Sequence, residues 1–326
     1  MIGVLGSGSW GSALAIHIAR IEDVMLWGHN KDDITTIQET RYNPKYLPNI
    51  QYPENIIATS SLEQLVEQCD QLVFVVPSFA LLDILKQIKS LGKKDLAFIN
   101  ATKGLEHDSN RFFSEMIDEM FDSPVQAVLS GPSFASEVAR HLPTAITIAS
   151  KNERDAKSFL PLFHHHHMRV YLNSDPIGVQ LAGTYKNVIA IAAGISEGLG
   201  FGFNARAALI TRGLAEMTRL GVSLGASLET FLGLAGVGDL TLTATSTESR
   251  NYRFGKFIGE GLTKEEAFEK VFQVVEGANN VINMKALGEK QGIELPIVAE
   301  VYKILTENLD SKIAMINLLE RSAKSE

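Results

Sequence analysis

The chain has 326 residues, which is long for one hydrophobic core, so two domains are expected. With 45% hydrophobic and 21% charged residues, its composition is that of a globular protein and excludes a largely disordered one. A formal net charge of −8 argues against nucleic acid or an anionic membrane as the main partner, so any anionic ligand must be held by local cations and helix ends.

In chain order, a short apolar run over residues 2–5 leads into Gly6-Ser7-Gly8-Ser9-Trp10-Gly11, and Ser12-Ala13-Leu14-Ala15-Ile16 then reads as a helix. A bare GxGxxG pattern is weak, but between a strand and a helix it reads as a dinucleotide-binding turn. Its glycines let the backbone turn tightly and approach a pyrophosphate, while the helix offers unpaired N–H groups to the anion. Because the first apolar run is a strand, it is not read as a signal peptide. No run of ~20 apolar residues follows, so no membrane insertion is expected, and the cytoplasm is the expected location.

The second strand, over 23–27, ends in Leu26-Trp27-Gly28-His29-Asn30-Lys31. An acid there would grip the adenosine ribose of NAD. Its absence, with His29 and Lys31 nearby, leaves NADP or NAD as the cofactor. Residues 41–53 contain Pro44, Pro48 and Pro53 and read as a surface excursion. The single cysteine, Cys69, lies at a helix end and is read as packing; alone it forms neither a disulfide nor a thiolate metal site.

Further strands are expected over 72–76, 96–100, 125–129, 145–149 and 169–172, with helices between them such as 79–90 and 110–121. This alternation reads as a mainly parallel, Rossmann-like α/β sheet. In such sheets ligands collect beyond the carboxyl ends of the strands. Val76-Pro77-Ser78, Ala101-Thr102-Lys103-Gly104 and Ser130-Gly131-Pro132-Ser133-Phe134-Ala135 fall there, the first as a cofactor lining. Lys103 has two readings, an ordinary loop lysine or a functional one placed by its strand end. The four histidines 164–167 lack the i, i+4 spacing of a helix-borne metal site; they read as a solvated loop or strand edge, and no metal site is assigned.

From about residue 173 the pattern becomes helical. Asp175-Pro176 opens a long helix with Asp as N-cap and Pro at the first position, and Thr263-Lys264-Glu265-Glu266 is a capping box. The expected organisation is an α/β domain over 1–180 followed by an all-α domain over 181–326. Within the long helix, Lys186 is followed by Val188, Ile189, Ala190, Ile191, Ala192 and Ala193, so its helix is expected to be buried on most sides. Either the lysine snorkels to water, or burial makes it a general acid or base near neutrality. Gly236-Val237-Gly238-Asp239 and residues 288–296 look like interhelical turns. Asp239 is either a helix N-cap or a carboxylate that orients a lysine ammonium. Ser249-Arg250-Asn251 can grip a phosphate, since an Arg fork matches it bidentately; the other reading is a surface loop arginine.

Taken in order, the segments GSGSWGSALA, MLWGHN, ATKGLE, SGPSFASEVA, GVQLAGTYKNVIAIAAG, NARAALITRGLAEM, GVGDLTLT, SRNYRFG and VVEG resemble the bacterial NAD(P)-dependent sn-glycerol-3-phosphate dehydrogenases over nearly the whole chain. The resemblance implies interconversion of dihydroxyacetone phosphate and sn-glycerol 3-phosphate, a small phosphorylated three-carbon substrate, by a homodimer that supplies the glycerol backbone of phospholipids. It implies cofactor contacts from the turn of Gly6, Gly8, Ser9, Trp10 and Gly11, and from His29, Lys103, Ala135, Arg250, Val274 and Glu276. Lys103, Gly131, Ser133, Lys186, Asp239, Ser249, Arg250 and Asn251 would contact substrate. Lys186 would be the proton acceptor in alcohol oxidation, with Lys103 and Asp239 beside it in catalysis. The chain departs from the family pattern at residues 164–167, at Thr184-Tyr185 before the lysine, and at Ser133, where Thr is frequent.

Overall fold

A computed structural model describes residues 1–322, which fall into two compact units, one over residues 1–179 and one from residue 180 onward. The first unit is built on ten strands: β1 Ile2–Leu5, β2 Val24–Trp27, β3 Tyr42–Asn43, β4 Leu47–Gln51, β5 Ile56–Thr59, β6 Gln71–Phe74, β7 Ala97–Asn100, β8 Gln126–Ser130, β9 Thr144–Ala149 and β10 Met168–Asn173. Eight of them form one sheet in the order β10-β9-β8-β7-β6-β1-β2-β5. All neighbours are parallel except β8 and β9, which run antiparallel. The chain runs outward from β1 through β2 to β5, then returns to β6 on the other side of β1. The first turn therefore lies at the point where strand order reverses, the place where open α/β sheets bind ligands.

Successive residues of these strands feed two separate cores, as period-2 geometry requires. Val4, Leu26, Val73 and Ile99 pack on one face, and Leu5, Met25, Phe74 and Phe98 on the other. Burial on both faces explains why the strands read as continuous apolar runs rather than alternating ones. Cys69 is fully buried at its helix end, and burial pushes its thiol up to about 11, so packing is its role in this fold.

Residues 41–53, expected as a surface excursion from their prolines, lie mostly at the surface and outside the main sheet, but they are not a plain loop. β3 and β4 pair there as an antiparallel hairpin, and Asn43, Leu47 and Tyr52 are buried beneath it. β5 also escaped the sequence reading, since an edge strand of four residues leaves little pattern. Among residues 164–167 the expected solvated loop holds for His164, His166 and His167, but His165 is half-buried. Its ring stacks on His17 with centroids 4.1 Å apart.

Among the described residues the second unit has helices and no strands. Its first helix, Pro176–Gly198, opens as expected, with Asp175 Oδ1 accepting from the Gly178 N–H at 2.8 Å. The capping box at Thr263 and Glu266 is formed. The expected turn at 288–296 is shorter: helix Glu276–Gln291 runs past Gly288, left-handed Gly292 ends it, and Pro296 starts the next helix.

Helix Pro176–Gly198 crosses helix Arg250–Gly259 at very short range. A Cβ added to Gly194 would lie 2.0 Å from the Tyr252 carbonyl oxygen, and one on Gly255 would lie 2.1 Å from that of Ile191. Only glycine permits this approach, which fixes the helix carrying Lys186 against the helix that begins at Arg250. On the far side, fully buried Tyr185 donates to Glu216 at 3.0 Å, and Glu216 accepts from the Ile297 N–H at 3.0 Å. Burial raises the Glu216 carboxyl above its usual range. Among the described residues no helix is long and apolar enough to cross a membrane.

His17 gives the first unit a pH dependence of known sign. It is buried in the last turn of helix Ser9–Ile18, with Nε2 3.1 Å from the Phe163 carbonyl. Burial first, and His165 next, push its imidazole down to about 3. Below pH ~6.5 the unfolded chain therefore binds a proton that the folded one refuses. Its contribution is complete above pH ~6.5 and is lost as pH falls toward 3. We expect His17→Gln to remove about 2–3 kcal/mol of the stability lost between pH 7.5 and 4.5. Urea denaturation at the two pH values checks this; equal acid losses in variant and parent would contradict it.

Candidate active site

The glycine turn follows β1 directly. Gly6 has φ +123°, and its N–H donates to the Trp27 carbonyl at 2.9 Å, so the backbone doubles back as a side-chain-bearing residue rarely does. A Cβ on Gly11 would lie 1.8 Å from the Gly6 carbonyl oxygen, so helix Ser9–Ile18 is pressed onto the turn. Gly8 is different: a Cβ there meets nothing within 4 Å. The helix has no side-chain cap and no acid in its first turn, which leaves its leading N–H groups to an anion. The Trp10 indole N–H is buried without a hydrogen-bond partner. Open space at Gly8, an uncapped helix and an orphaned donor together fit a dinucleotide pyrophosphate.

Other expected residues of the first unit occupy neighbouring strand ends. His29 and Lys31 are exposed after β2, where Asn30 caps helix Lys31–Thr40 by accepting from Asp33 N–H at 3.0 Å. Asp32 and Asp33 stand in that helix's first turn rather than at the strand end. Lys103 follows β7, whose loop is pinned by the Thr102 hydroxyl donating to the Val76 carbonyl at 2.9 Å. Beyond β8, Gly131 has φ +130° and lies against the β9 backbone, and Ser133 Oγ donates back to the Gly131 carbonyl at 2.9 Å. Ala135 opens the short helix Ala135–Ala139. Buried Asn100 Nδ2 and Ser130 Oγ, at the ends of β7 and β8, also lack partners.

The second unit holds a buried ion pair. Lys186 is 5% and Asp239 1% exposed. The ammonium donates to Asp239 Oδ1 and, at 2.9 Å, to Thr243 Oγ1. The Thr243 hydroxyl in turn donates to the Asp239 carbonyl at 2.6 Å. The snorkelling reading of Lys186 is thereby corrected: its ammonium is buried and paired. So is the N-cap reading of Asp239. Leu234–Gly238 form a π-helical turn running straight into helix Asp239–Thr245, whose N-cap is Gly238, and the carboxylate pairs with Lys186 from the helix's first turn. Burial of an ammonium costs more than one cap hydrogen bond contributes, so the long-range charge wins the contest for this carboxylate.

Ser249 is the N-cap of helix Arg250–Gly259, accepting from Tyr252 N–H at 3.2 Å. Arg250 opens that helix half-exposed, and its Nη1 reaches the Val274 carbonyl at 3.4 Å. Asn251 is buried; its Nδ2 donates to Asn187 Oδ1 at 3.0 Å, and its Oδ1 accepts from Gly277 N–H at 2.9 Å. It thus ties the lysine helix to the start of helix Glu276–Gln291, where Glu276 is the first residue. The unit therefore brings Lys186 together with Asp239, and Arg250 with Val274. The sequence reading missed Thr243 and Asn187. Thr243 stands four residues after Asp239, a spacing that puts both on one helix face, and Asn187 adjoins the lysine. Among the described residues no three His, Cys, Asp or Glu side chains are grouped as a metal site.

Comparison with known proteins is consistent along the whole chain. Residues 1–156 match the family described as NAD-dependent glycerol-3-phosphate dehydrogenase N-terminus, and residues 175–316 match its C-terminus. The chain is 48% identical over 328 aligned positions to a glycerol-3-phosphate dehydrogenase (NAD(P)+) of Legionella pneumophila, covering 100% of this chain and 98% of that protein. It is 47% identical to the enzyme of that name from Mannheimia succiniciproducens, with 99% and 97% covered. The crystal structure of glycerol-3-phosphate dehydrogenase from Coxiella burnetii, 44% identical, superposes with a TM-score of 0.96 over 98% of each chain. A dinucleotide turn in a Rossmann-like unit, a helical unit around a buried lysine and these full-length similarities lead to one conclusion: the chain belongs to the NAD(P)-dependent glycerol-3-phosphate dehydrogenase family, oxidoreductases that use NAD or NADP.

Proposed function

We propose that this protein interconverts dihydroxyacetone phosphate and sn-glycerol 3-phosphate, with Lys186 as the proton-transferring group. The observation that carries this is the buried Lys186 ammonium, held by Asp239 and Thr243. When bound, NAD(P)H supplies the hydride that adds to the C2 carbonyl carbon. Lys186 donates a proton to the oxygen as charge develops there, and in alcohol oxidation the neutral amine takes that proton back. Asp239 fixes the direction of the ammonium and neutralises it between turnovers.

In this reading Lys103 places a second positive charge by the reacting oxygen, worth a few kcal/mol where water is excluded. Gly131, Ser133 and Ser249 line the substrate site. Arg250, Asn251 and the N-terminal N–H groups of their helix hold the phosphate, and that binding orients the ketone. The turn Gly6–Gly11 with Ser9 and Trp10 takes the pyrophosphate, and His29, Ala135, Val274 and Glu276 contact other parts of the cofactor. No acid stands at the end of β2, which fits use of NADP as well as NAD. Residues 1–180 serve as the dinucleotide domain and residues 181–326 as the substrate domain. The family resemblance supports a cytoplasmic homodimer that supplies the glycerol backbone of phospholipids.

Two outcomes are expected. Absorbance at 340 nm should fall with NADPH or NADH when dihydroxyacetone phosphate is added, and far more slowly with unphosphorylated dihydroxyacetone. In the same assay Arg250→Ala should mainly raise the apparent KM for the phosphorylated ketone, about tenfold or more as expected for a lost charged contact, and that for the dinucleotide by less, since Arg250 also reaches the cofactor in this reading. An unchanged KM would reassign the phosphate grip.

The ion pair also has a stability consequence. Asp239→Ala strands a buried ammonium and should cost about 3–5 kcal/mol. The double variant Lys186→Met with Asp239→Leu should recover most of that stability and none of the activity. Denaturation curves of the two proteins decide the matter; a single variant as stable as the parent would contradict a buried pair.

A further inference from the structure

The hairpin of residues 41–53 grips the glycine turn. Asn43 is 2% exposed, and its Nδ2 donates to the Ser7 carbonyl at 2.8 Å and to Ser12 Oγ at 3.1 Å. The orientation of its amide is fixed from the other side, because Oδ1 accepts from Tyr46 N–H at 3.2 Å. Three residues on, the Tyr46 carbonyl accepts from Ser9 Oγ at 2.7 Å. The hairpin thus holds both residues that flank Gly8. Ser7 is wedged on its side-chain side as well, since a Cβ on Gly28 would lie 2.3 Å from Ser7 Oγ.

This grip has a consequence for one peptide plane. The Ser7–Gly8 peptide is trans, so the Ser7 carbonyl and the Gly8 N–H point in opposite directions within their shared plane. Asn43 and Ser12 hold the carbonyl toward the interior, which turns the Gly8 N–H outward. Gly8 also has no neighbour within 4 Å of a Cβ position, so its α-carbon is uncrowded. A backbone N–H turned outward at an uncapped helix N-terminus is suited to bind an anion.

We propose that Asn43 is a positioning residue that locks the Ser7–Gly8 peptide with its N–H toward the cofactor pyrophosphate. The inference rests on dinucleotide binding at this turn. Asn43 touches neither the reacting atoms nor the cofactor; it acts through the peptide it holds. Without it the longer contact from Ser12 Oγ, 3.3 Å from the Ser7 carbonyl, is left to hold the plane, and the cost falls on ligands that carry a pyrophosphate.

The test is equilibrium binding by calorimetry, with NADPH, ADP-ribose and adenosine as separate probes. Binding of NADPH by the parent protein checks the dinucleotide reading independently of the proposal. Asn43→Ala, shown folded by circular dichroism, should raise the Kd of NADPH and of ADP-ribose about tenfold, the scale of one hydrogen bond to a charged group. Its Kd for adenosine should stay within about twofold. Unchanged pyrophosphate binding, or an equal loss for adenosine, would overturn the proposal.

Asn43→Asp keeps the acceptor for Tyr46 N–H and the side-chain volume, so it serves if the alanine variant does not fold. Its carboxylate repels the Ser7 carbonyl, whereas its protonated form can donate to it. The Kd of this variant for NADPH and for ADP-ribose should rise at least about tenfold at pH 8, with that for adenosine within about twofold. Unchanged NADPH affinity in this variant would also overturn the proposal.

Discussion

The second unit is organised around one ammonium that has been taken out of water. An unpartnered buried lysine is not tolerable, so everything near Lys186 follows from the need to pair it. Asp239 supplies the charge, Thr243 a further acceptor, and both come from a helix more than fifty residues away in sequence. That helix must be locked in place, which the π-helical turn before it and the surrounding helical packing accomplish. A pair like this contributes little to stability compared with an apolar core of the same volume. Its presence is therefore better explained by chemistry than by folding.

Glycine does the corresponding work at two scales. At Gly194 and Gly255 it lets two helices touch backbone to backbone, so the lysine helix and the arginine helix share one rigid frame. At Gly6 and Gly11 it lets a strand, a turn and a helix collapse onto each other, leaving Gly8 open. In both places the absent side chain sets where a charged or polar group stands. Asn251 joins the frame from a third direction, committed on both faces of its amide to Asn187 and Gly277.

Much of this was legible in the sequence. The strand-turn-helix opening, the order of strands and helices, and the change to all-helical structure follow from local periodicity and cap residues, and seven strands of the main sheet were found that way. The hairpin of residues 41–53 was not, because its prolines look like loop residues and its buried Asn43 looks like a turn residue. Asp239 has two readings in the sequence, since a carboxylate after glycine before an apolar helix resembles an N-cap. Only a partner distant in sequence decides between them. Thr243, Asn187 and Asn43 share that difficulty: each matters through hydrogen bonds that no local pattern encodes.

The claim at the centre is that Lys186 moves the proton while other residues bind the ligands. Lys186→Ala tests it most directly, with turnover of dihydroxyacetone phosphate followed at 340 nm and NADPH affinity measured on the same folded protein. We expect turnover to fall by at least about a thousandfold, within the range for loss of a positioned general acid, and the Kd for NADPH to change by less than threefold. Activity within tenfold of the parent, at unchanged affinity, would remove Lys186 from the chemistry.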